Sequence, residues 1–448
     1  MKAKLSALWE SVSVSFWFIP GMLFLASIGL AQLMVYIDSA VPKLEPGLGP
    51  WFYEGSIDGA RQFLSSLASA VITVAGVVFS ITMVALTITS SQFGPRLLRN
   101  FMKDRTNQVI LGAYIATYVY CLLVSNTLHT TGTSNETPRL AVSFGILLTI
   151  IDLGLLVYFL HHMAASIQAT AIVENAYRDL LGSIDRMLPR KNRGMMLQEG
   201  RNPDDLQREA LPPDAPRVPA HIDGYLKAIN EEGLMKLAIR HDLVIQAFYR
   251  PGHFVFSRTD LAGYWPKRPF DFDLDKAVRD CFVVGVQRTP LQDVEFSVTQ
   301  LVEVALRALS PGINDSFTAM NCLDRLAEAV SVVQARPFPS AGRYDPDGRL
   351  RLVMDVTGFD GIMDAAFLQI RQNAGTKVDV SIRLLEVLRR LAETAVTDEQ
   401  RTAVRRHAEE AHRAVSRHVS EPNDQQDVDE RLRSVIARLV PGDNDPAT

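Results

Sequence analysis

The chain has 448 residues, a formal net charge of −4 and only 21% charged residues, a balance that gives no general attraction to nucleic acid. Its three cysteines, Cys121, Cys281 and Cys322, show neither Cys-x-x-Cys nor Cys/His spacing, which predicts free, buried thiols and no metal site. The long apolar runs end near Leu160 and an ordinary charged sequence follows. We therefore expect a membrane half followed by a water-soluble half.

An uncharged run over residues 11–36 predicts the first membrane-spanning helix. A cleaved signal peptide is the alternative, but its apolar segment is normally ~7–15 residues long. Trp17 and Tyr36 lie near the two ends of the run and favour an anchored helix, because aromatic residues concentrate at membrane interfaces. The loop 38–58 holds four acidic residues against one lysine and is predicted to be external.

The second predicted span contains a face of small and polar residues. No charged residue occurs between Arg61 and Arg96, and the apolar run 71–88 is long enough to cross the ~30 Å hydrocarbon layer as a helix. Spacings of three, four or seven place the small and polar residues on one side. This polar stripe consists of Gln62, Ser66, Ser69, Thr73, Gly76, Ser80, Thr87 and Ser91. It could pack closely against another helix in lipid, or line a pore formed by several subunits.

A distinctive motif follows this span, where Gly-Pro ends or bends the helix and basic residues begin. The motif residues are Gln92, Gly94, Pro95, Arg96 and Arg99. With Asp104, Gln108, Gly112 and the stretches 287–293 and 307–315, the chain resembles the bacterial predicted membrane proteins grouped as domain of unknown function 2254. The resemblance covers nearly the whole chain. It implies a fold region and a membrane location, and it supplies no established activity or catalytic residues.

The third and fourth spans are predicted over residues 109–128 and 140–160. The loop between the second and third spans has the densest basic cluster of the membrane half, and positive residues stay on the cytoplasmic side. Four spans with both termini in the cytoplasm satisfy the charge bias of every loop. We therefore predict a multi-pass protein of the bacterial inner membrane, in contact with the lipid bilayer.

Asp152 lies near the middle of the fourth predicted span. An ionised carboxylate there costs ~2.5–3.5 kcal/mol on insertion scales and usually faces a protein interior or an aqueous cavity. It could take part in ion or proton passage, or it could be a protonated or hydrogen-bonded group that holds this helix against the second one. His161 and His162 follow at the predicted cytoplasmic edge and are interpreted as an amphipathic boundary.

The sequence predicts three domains, an extension with a linker, and a tail. Residues 1–165 form the four-helix transmembrane domain, and residues 166–220 form a helical extension and a linker rich in Pro and charge. A small β-rich module follows at 221–290, a helical domain at 291–440 and a polar tail at 441–448. The predicted fold is thus a polytopic α-helical membrane protein with a cytoplasmic, mostly helical α+β domain.

A turn in the helical domain joins two predicted helices. Arg307, Asn314 and Asp315 lie there, where a helix N-terminus beside a basic residue could bind a small anion. The alternative is a purely structural turn in which Arg307 pairs with Asp315 and fixes the angle between the helices.

No Walker loop, GxSxG elbow, HExxH pair or dinucleotide fingerprint occurs, so we predict neither an enzyme nor a bound cofactor. The polar stripe and Asp152 favour a homo-oligomeric ion channel or transporter-like assembly gated by its cytoplasmic domain. The alternative is a membrane-anchored sensor or scaffold whose spans only hold and dimerise that domain.

Overall fold

The computed structural model describes residues 17–40, 53–94, 104–130, 138–188, 212–266 and 272–439. The chain divides into two compact units, Met1–Ile172 and Val173–Thr448. The first unit holds the long apolar helices, and the second holds the strands together with the amphipathic helices.

Among the described residues of the first unit, four helices are long and apolar enough to cross a membrane, which confirms the predicted four-span fold. They are α1 (Phe18–Ala40), α2 (Ile57–Phe93), α3 (Arg105–Thr130) and α4 (Arg139–Ser166). The longest, α2, starts where the Ser56 hydroxyl accepts the amide of Gly59. It ends at Gly94, whose φ of 112° is a left-handed conformation that glycine adopts without strain.

Helix α3 contacts α1, α2 and α4 and lies at the centre of this unit. Two apolar clusters form along it. The first includes Leu64, Tyr120, Cys121 and Val142, and the second includes Val78, Ile110, Tyr114 and Phe159. At one end of the unit, the Asp38 carboxylate accepts the amides of Leu140 and Ala141, so the last turn of α1 caps the first turn of α4.

The second unit combines short strands with amphipathic helices. Its helices are α5 (Ala169–Met187, whose first four residues belong to the first unit), α6 (Glu231–Arg240), α7 (Phe272–Arg279), α8 (Val294–Ala308), α9 (Ser316–Gln334), α10 (Phe359–Met363), α11 (Gln369–Ala374), α12 (Val378–Glu393), α13 (Asp398–Ser416) and α14 (Pro422–Leu439). Its strands are β1 (Arg217–Pro219), β2 (Gly224–Ile229), β3 (Val244–Ala247), β4 (Phe254–Val255), β5 (Asp260–Trp265), β6 (Phe282–Gly285), β7 (Gly342–Tyr344) and β8 (Leu350–Val353). A π-helical turn, Asp364–Leu368, joins α10 to α11.

The strands form a five-stranded sheet of order β1-β5-β3-β8-β7 and a three-stranded sheet of order β4-β2-β6. Strand β8 pairs in parallel with β3, so the larger sheet includes a hairpin from the region predicted to be helical, 291–440. The hairpin turns at Gly348, with φ of 75°, and the Asp345 carboxylate accepts the amides of Asp347 and Arg349. The three- and four-residue strands on either side of this turn are too short to show a clear alternation in the sequence.

Helix α5 follows α4 after only residues 167 and 168. Within the second unit, the buried hydroxyl groups of Ser183 and Ser297 lie 2.9 Å apart and join α5 to α8. Arg336 donates to the carbonyl groups of Ile184 and Leu188 and satisfies the last turn of α5. The segment that continues from the last span is therefore an integral part of the C-terminal unit.

Candidate functional site: the polar stripe and the intramembrane carboxylate

Every residue of the polar stripe is exposed in the protomer. The residues of α2 that are buried form a different face, made of Ala60, Leu64, Ala68, Val71, Ala75, Val78, Thr82, Ala85, Thr89 and Phe93. At about 100° per residue, the two faces point in roughly opposite directions around the helix. The protomer thus packs α2 through its alanine-rich face and leaves the polar stripe uncovered.

The hydroxyl groups of the polar stripe bond to the backbone of their own helix. Ser66, Thr73 and Thr87 donate to carbonyl oxygens four residues earlier at 2.7–2.9 Å. This back-bonding lowers the cost of a hydroxyl in an apolar environment. Gly76 lies in the middle of the polar stripe, and a Cβ built on it meets no atom of the described chain within 4 Å. The polar stripe is therefore a smooth surface without a protruding side chain at its centre.

Asp152 lies inside the protomer, away from the polar stripe, and is 3% exposed. Its carboxylate is hydrogen-bonded to the side chain of Thr117 on α3. The Tyr114 hydroxyl, also on α3, donates to the backbone carbonyl of Asp152 at 2.7 Å. Within the described chain, the Oδ2 atom of Asp152 has no hydrogen-bond partner. The carboxylate therefore faces α3, whereas one of the two predicted roles of Asp152 was a contact with the Ser/Thr face of the second span.

A second polar contact lies at the end of the bundle where α3 begins and α4 finishes. His162 Nε2 is 2.6 Å from Asp104 Oδ2, and both side chains are about three-quarters buried. Asp104 also accepts the amide of Thr106 at 2.9 Å, as a helix-capping carboxylate does. The two partners are 58 residues apart, so no local spacing indicates this pair, and His162 was predicted only as a boundary residue.

The motif after the second span is only partly within the described residues. Gln92 is exposed in the last turn of α2, and Gly94 is buried at its C-terminal cap. Pro95, Arg96 and Arg99 lie outside the described residues. The left-handed φ of Gly94 agrees with a helix that ends at this point.

The turn between α8 and α9 is held by capping contacts. Asp315 accepts both the amide and the hydroxyl of Thr318, and the hydroxyl bond holds the pKa of this carboxyl group below its usual range. Asn314 has a φ of 55° and accepts a hydrogen bond from Lys377. Arg307 lies 3.8 Å from the carboxylate of Glu303 on the same helix. Asp315 therefore caps α9 through the amide of Thr318.

The C-terminal unit contains an ionic cluster that sequence analysis did not find. Arg250, after β3, lies 2.9 Å from Glu295 on α8 and 3.2 Å from Asp355, after β8. Thr357 donates to the same Glu295 oxygen at 3.1 Å. The parallel pairing of β3 and β8 brings their carboxyl ends together, and this places Arg250 beside Asp355. No local spacing signals a contact across 105 residues.

Membrane-crossing helices, an uncovered polar stripe and a buried carboxylate define a polytopic membrane protein with a C-terminal α+β unit. The family model "Predicted membrane protein (DUF2254)" matches residues 13–390, and the chain belongs to this family. Uncharacterized proteins of Mycobacterium bovis and of Mycobacterium tuberculosis are each 31% identical over 386 residues, which are 83% of this chain and 71% of the relative. No solved structure matches the chain. The predicted family is thereby confirmed.

Proposed function

We propose that this protein forms a homo-oligomeric ion channel or transporter-like assembly in the bacterial inner membrane. The observation that carries this proposal is the exposure of the whole polar stripe on the side of α2 that the protomer does not pack. From Ser66 to Ser91 the stripe extends about 38 Å along the helix, enough to cross the hydrocarbon layer.

Contact between subunits would explain the small and polar residues of the stripe, whereas contact with lipid would not. Small residues let two helix backbones approach closely, and van der Waals packing drives helix association in a bilayer. Where the same hydroxyl groups surround a central axis, they provide polar ligands for a permeating ion or its water. Large apolar side chains such as Ile72 and Phe79 flank the stripe and are exposed at 42% and 44%, which suits a lipid boundary on that side.

The C-terminal unit is the proposed gate. Only residues 167 and 168 separate α4 from α5, and contacts with Ser297 and Arg336 hold α5 within the C-terminal unit. A rearrangement of that unit would therefore be transmitted to α4 through a connection of only two residues. We place the C-terminal unit and both termini in the cytoplasm, because the basic loop 96–105 favours that orientation. Reporter fusions at Thr133 and Gly200 should then report opposite sides of the membrane.

Single cysteines on the two faces of α2 test the proposal. Thr73→Cys and Thr87→Cys lie on the polar stripe, and Thr82→Cys and Thr89→Cys are matched controls on the buried face. In the full-length protein in liposomes, we expect the first pair to crosslink between subunits or to be modified by a water-soluble thiol reagent that changes ion flux. The buried pair should do neither. Equal behaviour of the two pairs would refute the assignment of the stripe.

The alternative is a membrane-anchored sensor or scaffold without transport. The extensive packing of α5 into the C-terminal unit supports it, because a sensor also needs a firm link between span and domain. Flux measurements on protein whose assembly has been verified distinguish the two functions. A protein that crosslinks through the polar stripe but passes no common ion would be a scaffold.

A further inference from the structure

Two buried polar side chains lie between the two apolar clusters of the membrane unit. On α4, Val142 belongs to the first cluster and Phe159 to the second, and Asp152 lies between them. On α3, Cys121 and Ile110 belong to the same two clusters, and Thr117, which is 2% exposed, lies between them. Both helices therefore place a buried polar side chain at the seam between the clusters, and the Asp152–Thr117 hydrogen bond joins the two helices there.

We propose that Asp152 is an exchangeable proton-binding site inside each protomer, enclosed between two apolar layers. The site is separate from the polar stripe and does not depend on the proposed subunit contact. The ligand of this site is the proton.

The surroundings of Asp152 favour a proton over a metal cation. A charge at this depth costs ~2.5–3.5 kcal/mol, so the carboxylate needs a neutralising partner. Sodium-like and divalent cations take several oxygen ligands, whereas the contacts of this carboxylate are a single threonine hydroxyl and an Oδ2 atom without a hydrogen-bond partner in the described chain. A carboxyl group that only holds two helices together is normally satisfied at both oxygens. Oδ2 is therefore the atom that we assign to the proton.

Few other titratable groups face the site. Helix α3 contributes Tyr114 and Cys121, and the Tyr114 hydroxyl is already donated to the Asp152 carbonyl. Helix α2 has no titratable residue between Arg61 and its end at Phe93. The titratable residues of α1 are Tyr36 and Asp38, and Asp38 is used in capping α4. Asp152 is thus the acidic group at the seam.

Exchange of the proton requires an opening in one apolar layer. His162, in the pair with Asp104, is ten residues further along α4, a distance of about 15 Å along the helix. Phe159 and Ile110, exposed at 0% and 1%, fill the space on that side. A smaller side chain in place of Phe159 should therefore admit water and speed access to the carboxyl group.

Carbodiimide labelling tests the site on the full-length protein in liposomes. Dicyclohexylcarbodiimide partitions into lipid and reacts with protonated carboxyl groups, and peptide mapping by mass spectrometry separates an adduct at Asp152 from adducts at Asp38 or Asp104. We expect labelling at Asp152 whose rate falls about tenfold for each pH unit once the group is mostly ionised. Asp152→Asn should abolish this adduct, Asp152→Glu should retain it, and Phe159→Ala should increase its rate.

Three results would overturn the proposal. An Asp152 adduct whose rate does not change with pH would indicate a permanently neutral packing group. Absence of the adduct in both the wild type and the folded Phe159→Ala variant would indicate a group that binds no exchangeable proton. Protection by sodium chloride but not by choline chloride would assign the site to a metal cation. Flux and crosslinking through the polar stripe are independent of all three results.

Discussion

Replacement of Gly76 by leucine separates the stability of the protomer from the contact between subunits. Gly76 lies at the centre of the polar stripe, and the space beyond its Cα atom is open in the protomer. Gly76 is exposed, so a leucine side chain there begins in open space and leads away from the protomer. If subunits pack through the stripe, the same side chain projects directly into the neighbouring subunit.

Gly76→Leu should affect the stability of the protomer and the association of subunits in opposite directions. Glycine is less favourable than leucine in a helix interior by up to about 1 kcal/mol, so Gly76→Leu should leave the folded protomer unchanged or slightly more stable. At a close helix–helix contact, added methylene groups cost typically about 1–3 kcal/mol. Since each 1.4 kcal/mol corresponds to a factor of ten, the subunit dissociation constant should rise by roughly one to two powers of ten.

Gly154 supplies the matched control. It is exposed on α4, and a Cβ built on it also meets no atom of the described chain within 4 Å, but no polar stripe surrounds it. We expect Gly154→Leu to retain the oligomeric state of the wild type. The measurement is the subunit number as a function of protein-to-lipid ratio, by single-molecule photobleaching in liposomes, with thermal unfolding of the same samples as the test of folding.

The reasoning is refuted if Gly76→Leu and Gly154→Leu have the same subunit number at every dilution. Loss of folding in Gly76→Leu would refute it too, because the open space around Gly76 predicts a stable protomer. An effect of Gly154→Leu alone would place the subunit contact on α4.

Two further predictions concern the C-terminal unit. Arg250→Met should lower the free energy of unfolding by about 2 kcal/mol, because it leaves the carboxylates of Glu295 and Asp355 without a cation in a partly buried site. Chemical denaturation measures this loss against Arg405→Met, a control at an exposed position. Equal stability of the two variants would contradict the prediction. Burial and the neighbouring Arg406 guanidinium lower the pKa of His407, although Asp364, Glu410 and Asp360 oppose the shift. The neutral imidazole therefore stabilises the fold above about pH 6.5, and this contribution is lost as the pH falls through the lowered pKa of His407. The stability of His407→Gln should consequently be less sensitive to acid than that of the wild type. Parallel profiles of stability against pH for the two proteins would contradict this.

The membrane fold could be read from the sequence because the bilayer imposes a simple rule on it. An apolar run of sufficient length predicts a spanning helix whatever its partners are, even with one carboxylate in it, and α1 to α4 follow the four predicted runs. Periodicity also placed the polar residues of the second span on one face. It could not show which face of α2 the protomer buries, because alanine and serine both allow close packing. The alanine-rich face, from Ala60 to Ala85, packs in the protomer.

The contacts of the polar residues were harder to predict. His162 meets Asp104, and Arg250 meets Asp355, only because antiparallel helices or parallel strands bring distant segments together. A single sequence shows no spacing for such pairs. Helix capping, by contrast, is local: Asp315 caps α9 through Thr318, only three residues away.

The π-helical turn Asp364–Leu368 fixes the rotational phase of the helical run 359–374. Residues before and after it use the same partner helix: Asp360 pairs with Arg406, and Arg371 pairs with Glu410. Deletion of one residue within the turn would convert it to ordinary α-helix, so the chain would stay helical while one half rotated by about 100° relative to the other. One of the two ion pairs would then face away from α13. The one extra residue of the π-helical turn thus keeps both ion pairs directed at α13. We expect insertions and deletions among relatives to avoid this turn, even where the side chains within it differ.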